Sequence, residues 1–187
     1  MSKPKLLWYL FCLLWSLGVT AGDDLSVLDG FVTQTTRSAK FIEQRTAFYL
    51  EEPIVSHGEM TFVAPSQLRK TITRPEPSTQ IIEAEQLTIE SDDEPVYIDL
   101  SQQPDLLLGV NALRWVLSGD KLAMQKNFYI DAIRKDGKWN LSLKPKLLSS
   151  PSKIKSITFE IEGARIMLMS IVSVDGEAIK TTLYGHR

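Results

Sequence analysis

The sequence predicts a mainly β domain of about eleven short antiparallel strands interrupted by two helices, on three observations. From Ala39 onward, short segments rich in β-branched and aromatic residues are punctuated by Pro, Gly and acidic clusters. Within these segments polarity alternates, as in Met60, Phe62 and Ala64 against Glu59, Thr61 and Val63, which gives each strand a dry and a wet face. The breaks are short, among them Asp136-Gly137, Glu162-Gly163 and Asp175-Gly176, and short breaks join antiparallel neighbours.

The chain opens on a different pattern. Lys3 and Lys5 precede an apolar run over residues 6–19, and Val19-Thr20-Ala21 supplies small residues for cleavage after Ala21. Residues 1–21 thus read as a signal peptide, and 22–187 as the mature domain. A membrane span needs about 20 apolar residues, and this run is shorter. Cys12 lies inside the run between Phe11 and Leu13, where it cannot serve as a lipid-anchoring cysteine. Cleavage removes it, which excludes a disulfide, a thiol nucleophile and a thiolate metal site from the mature domain. The net charge is −2, and losing Lys3 and Lys5 takes it to −4, so no basic footprint for nucleic acid exists.

In the mature domain, Asp23 and Asp24 can cap an amphipathic helix carrying Leu25, Leu28, Phe31 and Val32, ending by about Arg37. Strands are expected at 39–50, 56–63, 68–73, 79–82, 86–89 and 95–100, with Pro65 and Pro75 closing two of them. The run 104–117 is too long and apolar for a strand and reads as a buried helix stopped at Ser118-Gly119-Asp120. Strands resume at 128–133, 139–143, 154–161, 166–172 and 178–184.

Catalytic and metal patterns are sparse. His57 sits in the turn-like Ser56-His57-Gly58 and His186 beside the end of the sequence, neither with companions at zinc spacing. No nucleophile elbow or phosphate-cradling glycine loop occurs, and no cofactor or metal is expected. Glu43 and the cluster Asp92-Asp93-Glu94 are the carboxylates available to an enzyme acting on envelope lipid or glycan, although acidic clusters between strands are ordinarily solvated turns. The cluster lacks the ligand spacing of a calcium loop. Asn140-Leu141-Ser142 matches a glycosylation sequon but falls within an alternating strand.

What stands out instead is apolar surface, because two helices cover too little of so many strands. If the sheet curls, Met60, Phe62, Leu87, Ile89, Trp139, Leu141, Phe159, Ile161 and Met169 line a cavity. If it closes, they fill a core.

Several stretches then resemble one family in order and spacing. They are Phe41-Ile42-Glu43, Pro53-Ile54-Val55-Ser56-His57-Gly58-Glu59-Met60-Thr61-Phe62 with Ala64-Pro65 and Leu68, Thr73-Arg74-Pro75, the leucine-rich helix ending Ser118-Gly119-Asp120, Phe128, Trp139-Asn140-Leu141-Ser142-Leu143-Lys144-Pro145, and Ile154-Lys155-Ser156-Ile157. The chain resembles the periplasmic LolA-like outer-membrane lipoprotein carriers, in their divergent LolA-related branch. The resemblance implies a strongly curved, half-open antiparallel β-barrel whose helices form a lid, here through Leu28, Phe31, Leu107, Val110 and Leu113. It implies a periplasmic, non-enzymatic carrier that takes acyl chains of a lipoprotein or other acylated lipid from an inner-membrane transporter to an outer-membrane acceptor. A lipid-sensing regulator on the same fold is the alternative, as is a carrier for an acylated product that is not a lipoprotein. Two departures bear on mechanism. Ala64 stands where the carriers have a basic residue that latches the lid, and Lys70 stands where they have a tryptophan.

Overall fold

A computed structural model describes residues 25–33, 35–146 and 152–187, so the expected signal peptide and the capping pair Asp23 and Asp24 lie outside the described residues. The described strands are β1 (Thr36–Thr46), β2 (Ile54–Val63), β3 (Gln67–Arg74), β4 (Ser78–Glu83), β5 (Gln86–Glu90), β6 (Val96–Asp99), β7 (Phe128–Lys135), β8 (Lys138–Pro145), β9 (Ile154–Glu162), β10 (Arg165–Ser173) and β11 (Ala178–Tyr184). All eleven form one antiparallel sheet in the order β6-β5-β4-β3-β2-β1-β11-β10-β9-β8-β7. It consists of two meanders, β1 to β6 and β7 to β11, joined where β1 pairs with β11 from Lys40↔Tyr184 to Thr46↔Ala178. The edge strands β6 and β7 do not pair, so the barrel is half-open.

The link between those edges suits a curled sheet. It contains helices α1 (Pro104–Ser118) and α2 (Lys121–Asn127). At a rise of 1.5 Å per residue these reach about 22 Å and about 10 Å. Eleven strands spaced about 4.8 Å apart would be about 48 Å across if flat. The two helices together cover about 32 Å of that width, so they span a curled sheet comfortably and supply the apolar cover that its inner face requires.

Alternation sets what faces inward. On β8, Leu141 and Leu143 are buried while Asn140 and Lys144 are exposed, and on β9 Ile157, Phe159 and Ile161 are buried while Lys155 and Glu160 are exposed. Helix α1 begins with Pro104 in its first turn and ends at Gly119, whose φ of 71° is the left-handed conformation that stops a helix. The Asp120 N–H closes the turn on Trp115 O at 2.9 Å.

Three local expectations are corrected. The first helix is a 3-10 helix, Leu25–Phe31, and does not reach Arg37, which lies on β1. The Arg37 guanidinium instead donates to the carbonyls of Phe31 at 2.6 Å and Ala164 at 2.8 Å, satisfying an acceptor that the helix end leaves free. His57 is part of β2, not of a turn. Helix α2 is an addition: Asp120 accepts from Ala123 N at 3.0 Å and caps a seven-residue helix that buries Met124.

Gly58 is the most tightly enclosed of the described glycines. A Cβ there would lie 1.9 Å from Thr71 O and 2.9 Å from the Phe41 ring, beside a register shift in the β2–β3 ladder. Gly58→Ala should cost about 3 kcal/mol, the upper range of overpacking. Equilibrium urea unfolding checks this, and a midpoint equal to that of the parent chain would refute the packing account.

Candidate functional site

Between α1 and the concave face lies a cavity of about 300 Å³. The sheet contributes Met60, Leu68, Ile82, Leu87, Met169 and Ile171, and the helix contributes Leu106, Gly109, Val110 and Leu113. Gly109 is one reason for the space: a helix residue facing the sheet without a side chain leaves only Ile171 Cδ1 within 4 Å of where its Cβ would be, at 3.4 Å. A second cavity of about 180 Å³ lies by the 3-10 helix, among Phe31, Ala39, Phe62, Leu117, Ile166 and Leu183. Met60 and Leu113 line both and form the partition between them. Arg37, Arg165 and His186 edge the smaller cavity, where burial and then the Arg165 charge push the His186 imidazole below its ordinary range.

The lid is tied to the sheet by polar contacts. Arg114 of α1 is buried, at 6% exposure, and donates to Ala84 O at 2.7 Å and Ile82 O at 3.3 Å on the β4–β5 hairpin. Its Nε has no partner among the described residues, and burial lowers its basicity. At the other end of α1, Asp105 accepts from Ser152 Oγ at 2.6 Å and Lys153 N at 3.1 Å. Lys121 pairs with Asp29 of the 3-10 helix at 2.5 Å. Ala64, in the turn after β2, donates its backbone N–H to Thr35 O at 2.8 Å, and its methyl side chain can form no ionic latch. The tie therefore runs from a cation on the lid to carbonyls of the sheet.

The residues expected from sequence divide between cavity and core. Met60, Leu87 and Met169 line the larger cavity, and Phe62 lines the smaller one while only 2% exposed. Leu141, Phe159 and Ile161 are fully buried in the core and border neither, and Ile89 and Trp139 are partly buried and border neither. Of the expected lid residues, Val110 and Leu113 face the larger cavity, Phe31 the smaller, Leu28 is core, and Leu107 is partly buried away from both.

Sequence reasoning missed a polar band inside the larger cavity. Lys70 Nζ donates to Glu43 Oε1 at 2.6 Å, Glu43 Oε2 accepts from Thr181 Oγ1 at 2.8 Å, and Gln80 lies alongside. Glu43 is thus held in an ion pair. Asp92, Asp93 and Glu94 form an exposed turn, and no group of three or more His, Cys, Asp or Glu among the described residues is placed to hold a metal. No helix among the described residues is long and apolar enough to cross a membrane.

Residues 19–187 match the family described as outer membrane lipoprotein carrier protein LolA-like. No curated protein matches the chain in sequence. Among solved structures, MucB is similar over 87% of this chain and 56% of its own, at 10% identity and a TM-score of 0.50. A LolA superfamily protein from Nitrosomonas europaea is similar over 87% of this chain and 91% of its own, at 10% identity and a TM-score of 0.44. The lipoprotein LppX of Mycobacterium tuberculosis is similar over 86% and 94%, at 11% identity and a TM-score of 0.43. At such identities the likeness to MucB concerns the fold.

If Arg114 fastens the lid, Arg114→Met should cost about 2–3 kcal/mol, since hydrogen bonds from a charged donor are worth more than neutral ones. Amide exchange in α1 should accelerate more than in β8 and β9. Uniform acceleration across the chain would show that Arg114 supports the fold generally and not the lid.

Proposed function

The chain belongs to the outer membrane lipoprotein carrier protein LolA-like family, and from that premise we propose that it is a soluble periplasmic carrier. It shields the acyl chains of a lipoprotein or another lipid beneath α1 and moves them from an inner-membrane transporter to an outer-membrane acceptor. The observation that carries this reading is the largely apolar cavity of about 300 Å³ between the concave sheet and a helix held both by core packing and by polar ties. Each methylene taken out of water contributes about 0.8 kcal/mol, so an acyl chain has a strong drive to enter and no catalytic residue is required. Release then requires a partner that displaces the lid or offers a drier site.

Gly109→Leu tests the reading without weakening the helix. Glycine costs a helix interior about 1 kcal/mol, so the variant should be at least as stable as the parent while its side chain fills the cavity. Native mass spectrometry of the mature protein from cells should find lipid or lipoprotein on the parent and several-fold less on Gly109→Leu. A parent that carries nothing and takes up no hydrophobic probe would defeat the proposal. Transfer of labelled cargo between donor and acceptor membranes then separates carriage from sensing.

A further inference from the structure

The polar band is not scattered chemistry, because it follows the sheet register. Thr181 opposes Glu43 across the β1–β11 seam, and Lys70 opposes Gln80 on β3 and β4. Glu43 and Lys70 sit on the strands flanking β2, opposite Ser56 and Met60, so the pair reaches diagonally across β2. Between them β2 presents Gly58, opposite Phe41, with no side chain in the way. The pair closes over that gap, with Lys70 Nζ 5.0 Å from the centre of the Phe41 ring. Apolar residues lie on both sides of the band: Leu68 and Ile82 on one side, Ile171 and Ile179 on the other.

The band has hydrogen-bonding capacity left over. An ammonium has three donors, and Lys70 uses one of them, on Glu43, among the described residues. The Gln80 amide has no hydrogen-bond partner among the described residues and borders the same cavity. The charges of Glu43 and Lys70 cancel, so what the band offers a guest is spare N–H donors with no net charge.

We infer that this band is a head-group subsite, which receives the carbonyl of an acyl ester or amide, with Lys70 and Gln80 as its donors. The inference rests on the carrier reading and deepens it: the cargo enters with its acyl carbonyl inside the cavity and not at the rim. A bare hydrocarbon would leave these donors unsatisfied in an apolar setting, which is unfavourable. An ester offers an acceptor without a charge that would compete with Glu43 for Lys70.

Methyl hexadecanoate is a suitable probe, because its ester carbonyl stretch lies clear of the protein amide bands. Difference infrared spectra of the full mature chain at saturating ester should show the bound carbonyl at lower wavenumber than the ester in hydrocarbon. The band should move back toward the hydrocarbon position in Gln80→Leu and further in the charge-neutral Glu43→Gln/Lys70→Met. Should the double variant fail to fold, Gln80→Leu decides alone, since that side chain makes no hydrogen bond among the described residues. A carbonyl at the hydrocarbon position in the parent chain, or one unmoved by these substitutions, would overturn the subsite while ester uptake itself upheld carriage. Absence of any ester uptake by the parent chain would overturn both.

Discussion

The pairing of β1 with β11 is the interaction on which the rest of the structure depends. Without it the chain is two meanders, each with an uncovered apolar face. With it, Phe41 and Leu183 oppose each other inside, both buried, and residues more than a hundred positions apart become neighbours. The seam also creates the site, since Glu43 and Thr181 meet across it. Once it is made, the outer strands are fixed as edges, and a link consisting largely of two helices joins them across the curled sheet. Cavity and lid follow from topology. Every other strand pair joins neighbours in sequence, so the seam is the long-range closure that costs the chain most entropy.

A lid over such a cavity must hold without being welded. Apolar packing fastens the second half of α1 firmly, through Ala112, Val116 and Leu117 in the core, because each Å² exposed on opening costs about 25 cal/mol. Hydrogen bonds behave differently: water replaces the partner on opening, and the net loss is about 1 kcal/mol each for neutral pairs. The ties of Arg114 to Ile82 O and Ala84 O, and of Asp105 to Ser152 and Lys153, are of this exchangeable kind. Removing the side chain at Gly109 weakens the apolar grip further where helix and sheet approach.

Much of the fold was legible because strand ends are marked chemically. Pro65, Pro75, Gly137, Gly163 and Gly176 fall in breaks between described strands, and period-two alternation separates core from surface on β8 and β9. Helix α2 was not legible: seven residues with one buried side chain, Met124, carry no periodicity, and its only signal is Asp120 as a cap. The cavity was legible only as a face. Alternation says that Phe159 and Met169 both point inward, but not how far the helix stands from each. One therefore fills the core while the other lines the cavity. The polar band was hidden for a different reason. Glu43, Lys70, Gln80 and Thr181 lie on four strands, and only the seam and the β2 glycine bring Glu43 within reach of both Lys70 and Thr181.

That band is hard to explain as a device for stability. The side chains of Glu43 and Lys70 are 21% and 18% exposed, so both ions have lost most of their hydration. Ion pairs in that position recover the loss only partly, and apolar replacements of similar volume are often neutral or stabilising. The surrounding wall supplies such replacements at neighbouring positions, with Leu68 and Ile72 flanking Lys70 on β3 and Ile82 beyond Gln80 on β4. A sequence selected only for a well-filled interior has no reason to place four polar side chains there, beside empty space and below a lid held in part by exchangeable ties. A guest that brings its own hydrogen-bond acceptor supplies the missing compensation. The polarity then acts as a register mark, stopping an otherwise featureless acyl chain at a defined depth.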